Sequence, residues 1–185
     1  MSAPGRSAAV QGGGFAAAAA SRAASRRIVG IGEFVVSNAA AETIVTHALG
    51  SCIAVCIWDK ATIVGGLLHF LLPDSAVNPE RARTQPASFA NTGLPLFFQA
   101  AYALGLDKKR CRVRLVGGAE IGGLGGANAL NVGKRNLLAA RNILWRNGLL
   151  IEAEATGGSI PRSVALYLGD GTIDVTSGRD LIHEL

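Results

Sequence analysis

The sequence predicts an α+β domain, a mostly antiparallel β-sheet sandwich carrying two main helices. About seven segments are β-rich and only two have a helical period, too few helices for alternating βαβ units. The last two β segments are joined by Asp170-Gly171, a tight-turn pair that implies antiparallel neighbours. With 185 residues, 49% of them hydrophobic and 17% charged, the chain can bury one sizeable core, which excludes wholesale disorder and a large modular architecture.

Residues 1–27 are expected to form a disordered extension ahead of a single domain over residues 28–185. They are rich in Ala, Gly, Ser and Arg, include the run Ala16 to Ala20, and lack the Leu-rich stretch of a secretory signal. An organellar transit peptide is the alternative that this acid-free composition allows. Loose alternation from Ile28 to Val36 predicts a strand, a loop follows through Asn38 to Glu42, and Thr43 to Thr46 is a short β-branched segment. Cys52 to Trp58 and Ile63 to Leu72 are apolar, β-rich runs on either side of Asp59, Lys60, Ala61 and Thr62, and they read as a hairpin. Pro73, Pro79 and Pro86 punctuate a polar loop over residues 73–87. Ser88 or Asn91 can cap a helix that runs to Leu104 and stops at Gly105, with Pro95 near its start. Arg112 to Val116 is a strand, and Gly117 to Gly133 contains seven glycines. A second helix, Lys134 to Asn147, has Leu137, Ala140 and Leu144 on its inner face and Gly148 at its end. Leu149 to Glu154, Ser163 to Leu168 and Thr172 to Val175 complete the strands.

A formal charge of +5 invites a nucleic-acid partner, but its location removes most of that reading. Four of the 18 basic residues, Arg6, Arg22, Arg26 and Arg27, precede residue 28, where there is no acid, leaving 14 bases against 13 acids in the expected domain. Only 5% of the chain is aromatic, and the short basic cluster Lys108 to Arg114 has no stacking platform, so no nucleic acid is expected. Gly65, Gly66 and His69 interrupt the most hydrophobic stretch, so no membrane insertion is expected either. Cys52, Cys56 and Cys111 form an odd set without CxxC or paired-His spacing. That argues against a zinc site and a secreted disulfide framework; no metal or cofactor is expected, and a reducing cytoplasm fits best. The glycine-rich segment matches no phosphate-loop spacing. It reads as a turned loop shaping a cleft wall or, alternatively, as an anion site at the following helix N-terminus.

The residues able to do chemistry cluster on the hairpin. Cys52 follows Gly50-Ser51, where a loop becomes a strand. A thiol of ordinary acidity is only slightly ionised at neutral pH, so a nucleophilic cysteine needs an imidazole or a group of backbone N–H donors nearby. If the hairpin is centred between Lys60 and Ala61, Cys52 lies directly opposite His69 and the two side chains share one face of the sheet. A shift of one residue would turn His69 away. Two readings stand at this point: a catalytic thiol–imidazole pair, or a buried thiol and a satisfied core histidine. Thr46 is the candidate to orient the ring through its hydroxyl or carbonyl, since no acid is at hand. The Ser51 and Cys52 N–H groups are candidate oxyanion donors. His47 is expected to point to solvent, and Cys56 and Cys111 to lie in the core.

In order along the chain, these residues resemble a known signature. Thr46-His-Ala-Leu-Gly-Ser-Cys52-Ile-Ala-Val-Cys-Ile-Trp-Asp59 and Gly65-Gly-Leu-Leu-His69-Phe-Leu-Leu-Pro-Asp74 are similar to CheD, the chemoreceptor glutamine deamidases. Gly117-Gly-Ala119, Asn131-Val-Gly-Lys-Arg-Asn136 and Thr156-Gly-Gly158 with Arg162 extend the likeness to about residue 176. The resemblance implies a cysteine deamidase fold like that of cytotoxic necrotizing factor toxins. It also implies hydrolysis of selected glutamine side chains on the cytoplasmic helices of chemoreceptors, giving glutamate and ammonia. Cys52 is then the nucleophile, His69 manages protons and Thr46 positions the ring; a thioester forms and water resolves it. A CheC-type phosphatase is an implied second partner. Two other readings share the residues: a non-catalytic adaptor that docks receptor or phosphatase, and a thiol protease or acyltransferase using the same pair. His47, Arg114 and Ala155 depart from the usual family pattern, which bears on loop contacts and receptor choice.

Overall fold

A computed structural model describes residues 25–120 and 131–185. Among these, the strands are β1 Ser25–Ile28, β2 Glu33–Ser37, β3 Glu42–Leu49, β4 Ile53–Asp59, β5 Val64–Phe70, β6 Arg112–Gly117, β7 Ile151–Thr156, β8 Arg162–Tyr167, β9 Ile173–Ser177 and β10 Asp180–Glu184. The helices are α1 Pro79–Thr84, α2 Ala90–Ala103 and α3 Val132–Arg146. One sheet has the order β1-β3-β8-β9-β10 and the other β2-β5-β4-β6-β7. Each sheet is mixed, with β1 parallel to β3 and β6 parallel to β7, and the other six pairings are antiparallel. The fold is therefore α+β, with few helices.

The second sheet is the middle of three layers. On β4, Ile53, Val55 and Ile57 join the helix-side core with Leu94, Phe97 and Ala101 of α2 and Ala140 and Leu144 of α3. Cys56 and Trp58 of the same strand, with Cys52 just before it, join the inter-sheet core with Ile44, Leu166, Ile173 and Val175. A strand covered on both faces has no polar side, which is why residues 52–58 read as a continuous apolar run. Trp58 Nε1 and Arg114 Nη1 donate across to the carbonyls of Leu168 and Gly171, at 2.8 and 2.6 Å, tying the sheets together at the end where β4 finishes.

Several expectations are corrected. The strand expected over 28–36 is two strands in different sheets; the chain changes sheets at Gly30-Ile31-Gly32, where Gly32 takes φ +77° and an added Cβ would strike Ser88. Residues 25–27, expected in the extension, are the first three of β1; residues 1–24 lie outside the described residues. The structure has ten described strands rather than about seven: the first expected strand is two, and β10 is an exposed edge strand with no buried alternation to announce it. The expected loop 73–87 contains α1, capped by the Asn78 side chain on Arg81 N–H with Pro79 at its first turn. Neither Ser88 nor Asn91 caps α2. Ser88 Oγ accepts from Arg81 Nε, Asn91 bonds to Asp74 and Ser75, and Pro95 is the sixth helical residue, past the first turn. The expectation of a glycine-rich cleft wall falls largely on residues 121–130, outside the described residues.

Candidate active site

The site is built where three segments meet: the lead-in to β4, the end of β5, and the bulged end of β3. In β3 the register with β8 slips between Thr46 and Leu49, and Ala48 takes φ +57°. The bulge buries Thr46 completely and leaves His47 exposed to solvent, as expected from the sequence. Thr46 thereby points from the outer sheet into the space against β5.

There its hydroxyl meets His69. Thr46 Oγ1 donates to the Val29 carbonyl at 2.7 Å and lies 2.8 Å from His69 Nδ1. A carbonyl only accepts, so the single hydroxyl proton is committed to Val29, and the Thr46 oxygen must accept from Nδ1. The proton therefore sits on Nδ1, and Nε2 presents a bare lone pair. That Nε2 is buried without a hydrogen-bond partner among the described residues. With the ring only 1% exposed, burial lowers the His69 pKa to about 4.

Cys52 occupies the same inter-sheet face. The ladder pairs Ala54 with His69 and Ile53 with Phe70, so the hairpin is centred one residue later than expected. Cys52 is not directly opposite His69 but diagonal to it, in line with Leu71. The physical reason is the turn: Asp59 pairs with Val64 as the last rung, and Ile63, at φ +58°, belongs to the connection. Because the offset is two residues, both side chains keep the common face, and a diagonal neighbour remains within reach of a long side chain. Cys52 is 6% exposed; burial raises its pKa, partly offset by its own backbone N–H. The resting pair is thus a neutral thiol and a neutral imidazole.

Close backbone approaches fix the loop before Cys52. Ala119 N–H donates to Gly50 O and Gly118 N–H to Cys52 O, both at 2.8 Å. A Cβ on Gly117 would lie 2.3 Å from the Cys52 carbonyl, and Gly117 takes φ +112°, so only glycine fits where β6 crosses the loop. Gly133 of α3 packs as tightly on Gly118. The sequence reading missed the role of Asn136, fully buried, whose Nδ2 donates to Ser51 O at 2.9 Å and Leu71 O at 2.8 Å. An amide at four-residue spacing with Ala140 and Leu144, on an otherwise apolar inner face, was the available signal. Ser51 and Cys52 N–H have no backbone acceptor among the described residues.

The other thiols are core-like. Cys56 is fully buried and pushed up to about 12 by burial; Cys111, expected in the core, is half-buried at its edge and also raised to about 12. No cluster of three or more metal-ligating side chains exists among the described residues, and no described helix is long and apolar enough to cross a membrane. Among the described residues, a cavity of about 300 Å³ between α2 and α3 is lined by Leu94, Phe98, Tyr102 and Leu144 and contains none of these groups.

A family described as CheD chemotactic sensory transduction matches residues 71–177, beginning two residues past His69. Curated relatives cover the dyad region as well. "Probable chemoreceptor glutamine deamidase CheD 1" of Syntrophus aciditrophicus is 45% identical over 85% of this chain and 98% of its own. "Probable chemoreceptor glutamine deamidase CheD 2" of Anaeromyxobacter dehalogenans is 45% identical over 81% and 93%. "Probable chemoreceptor glutamine deamidase CheD" of Pyrococcus abyssi is 37% identical over 78% and 87%.

Proposed function

The chain belongs to the CheD family, and from that membership we propose that it hydrolyses selected glutamine side chains on chemoreceptor cytoplasmic helices, through a Cys52 thioester. The observation that carries the cysteine mechanism is the Thr46–His69 bond, which leaves a bare, buried Nε2 one diagonal step from the thiol. A satisfied core histidine would have no reason to strand that atom.

The steps follow from the protonation states. As Cys52 Sγ attacks the carboxamide carbon, its proton passes to His69 Nε2, so the low basicity of the buried imidazole is met by a proton delivered only during bond formation. The oxygen of the tetrahedral intermediate takes the negative charge and accepts from the Ser51 and Cys52 N–H groups. Nε2–H then protonates the amide nitrogen, the C–N bond breaks, and ammonia leaves behind a thioester. Water attacks the thioester with Nε2 as base; the C–S bond breaks, the thiol is reprotonated, and the side chain departs as glutamate. Thr46 holds the ring in the Nδ1–H form throughout. The fold is read as the cysteine deamidase type of cytotoxic necrotizing factor toxins, the protein as cytoplasmic, and a CheC-type phosphatase as a second partner at the same mouth.

The test is ammonia release and mass spectrometry of a receptor cytoplasmic fragment treated with wild-type protein or Cys52→Ala. Glutamine-to-glutamate conversion is expected only with wild type, with receptor binding retained by both. Conversion by Cys52→Ala would remove the thiol from the mechanism; binding by wild type without conversion would leave an adaptor; a cut receptor backbone would indicate a protease.

A further inference from the structure

We propose that Asn136 is the positioning residue of this active site: one buried side-chain amide aims the Cys52 N–H at the reacting oxygen and sets the spacing between the strands that carry Cys52 and His69. The inference rests on the Cys52 mechanism above and adds to it a group that touches neither substrate nor nucleophile.

The β4–β5 ladder ends at Ile53–Phe70. Beyond it β5 leaves its partner: Leu71 and Leu72 N–H both donate to Ser88 O, and Leu72 bridges to Phe89. Two antiparallel strands that splay apart leave carbonyls without ladder donors, and Ser51 O and Leu71 O are the two at this fork. Asn136 Nδ2 fills it, giving one N–H to each. The cost is visible on the same side chain, because Asn136 Oδ1 is buried with no partner among the described residues. An amide held in place with half its hydrogen-bonding capacity empty is doing something other than maximising stability.

What it gains is orientation. Ser51 C=O and Cys52 N–H belong to one peptide group, and in a trans peptide they point in opposite directions. Pinning the Ser51 carbonyl toward α3 turns the Cys52 N–H of the same trans peptide away from that helix. A hydrogen bond to the carbonyl also polarises the peptide and strengthens the N–H as a donor. The preceding peptide is treated alike, with Gly50 O pinned by Ala119 N–H. Both candidate oxyanion donors are thus aimed from behind, one by backbone and one by Asn136.

The experiment measures kcat and KM for ammonia release from a receptor fragment, iodoacetamide alkylation of Cys52, and thermal stability, for wild type, Asn136→Asp and Asn136→Ser. Asn136→Asp, which has no donor when ionised, is expected at alkaline pH to lower kcat roughly 10- to 100-fold, less than deletion of an oxyanion donor itself. KM and alkylation, which need no oxyanion contact, are expected to stay within about threefold. Asn136→Ser keeps one donor and should fall between. A folded Asn136→Asp with kcat within about threefold of wild type overturns the proposal, as does a parallel collapse of kcat, KM and alkylation, which marks a merely structural role. If neither variant folds, the wild-type chain decides by NMR. A glutamine-mimicking peptide aldehyde adds the Cys52 thiol across its carbonyl to give a hemithioacetal; the Cys52 amide proton should move downfield, and an unmoved resonance overturns the proposal. Activity that survives Cys52→Ala defeats the thioester reading instead, whereas an inactive Cys52→Ala beside a fully active Asn136→Asp defeats only the role of Asn136.

Discussion

The two ends of the β4 region bury polar groups in opposite ways. At its finish, Asp59 is fully buried and every lone-pair direction in use is answered: Oδ1 accepts from Ala61 N–H and Arg110 Nε, Oδ2 from Asp107 N–H and Arg110 Nη2. Despite the desolvation that opposes it, its carboxyl is held below the usual range by Arg110 and the two backbone donors. At the head, His69 Nε2 and Asn136 Oδ1 are buried with no partner among the described residues, and burial raises the Cys52 thiol. Seven residues of one strand separate a site that spends its hydrogen bonds on stability from one that withholds them. Unsatisfied polar atoms cost on the order of 1–3 kcal/mol each, so the head is one of the places where the fold accepts a loss.

Substitution should separate the ends by what is lost. His69→Gln fills most of the ring's volume but offers no base, and ammonia release is expected to fall by about 10³-fold or more, near 4 kcal/mol of transition-state stabilisation. Denaturant unfolding should move much less; a variant losing activity only through unfolding would erase the contrast. Asp59→Ala should do the reverse. It leaves two backbone N–H groups and one face of the Arg110 guanidinium without an acceptor, and since Arg110 is half-exposed the loss is about 3 kcal/mol of stability rather than more. Its kcat per folded molecule is expected to match wild type; a tenfold drop would show that the two ends are coupled. Thr46→Val lies between, removing the acceptor for Nδ1–H and the donor to Val29 O. We expect kcat to fall 10- to 100-fold as the ring loses its fixed tautomer, with about 1–2 kcal/mol of stability, in paired kinetic and urea measurements.

The same division decides what could be read from the sequence. The common face of Cys52 and His69 was legible, because period-2 alternation survives any even register error. The register itself was not: Asp59 looked like a turn residue, and only its contacts to residues 107 and 110, about fifty positions away, make it the last rung. The contact between Thr46 and the ring was legible from its place before the Gly50-Ser51 turn, yet the direction of its hydroxyl proton depends on Val29, in a turn between strands of different sheets. Asn136 stood in the signature and on the inner face of its helix, but its role escaped because its partners are carbonyls, which no residue type announces. Long-range backbone acceptors are the part of a site that sequence pattern does not encode.

The last expected effect is a pH dependence, and its sign distinguishes the ends. His69 takes up a proton in the unfolded chain near its ordinary value of 6.5 but in the folded protein only at about 4. Between these values the unfolded state binds more protons, so stability is fully present above about pH 6.5 and falls as the pH drops, by about 1.4 kcal/mol per unit. From pH 7 to pH 5 the wild type should lose about 2 kcal/mol to this group in urea titrations. Asp59, with its lowered carboxyl, contributes stability that is lost only at still lower pH, as protonation of the unfolded carboxylates sets in. His69→Gln should therefore flatten the profile between pH 7 and pH 5, and Asp59→Ala should leave that interval unchanged. The acid limb of kcat/KM should likewise fall well below pH 6.5, since the base at Nε2 stays unprotonated in the folded enzyme down to about 4. An equal slope in wild type and His69→Gln would mean that the buried ring is not the group that titrates, and that the head of the strand withholds nothing.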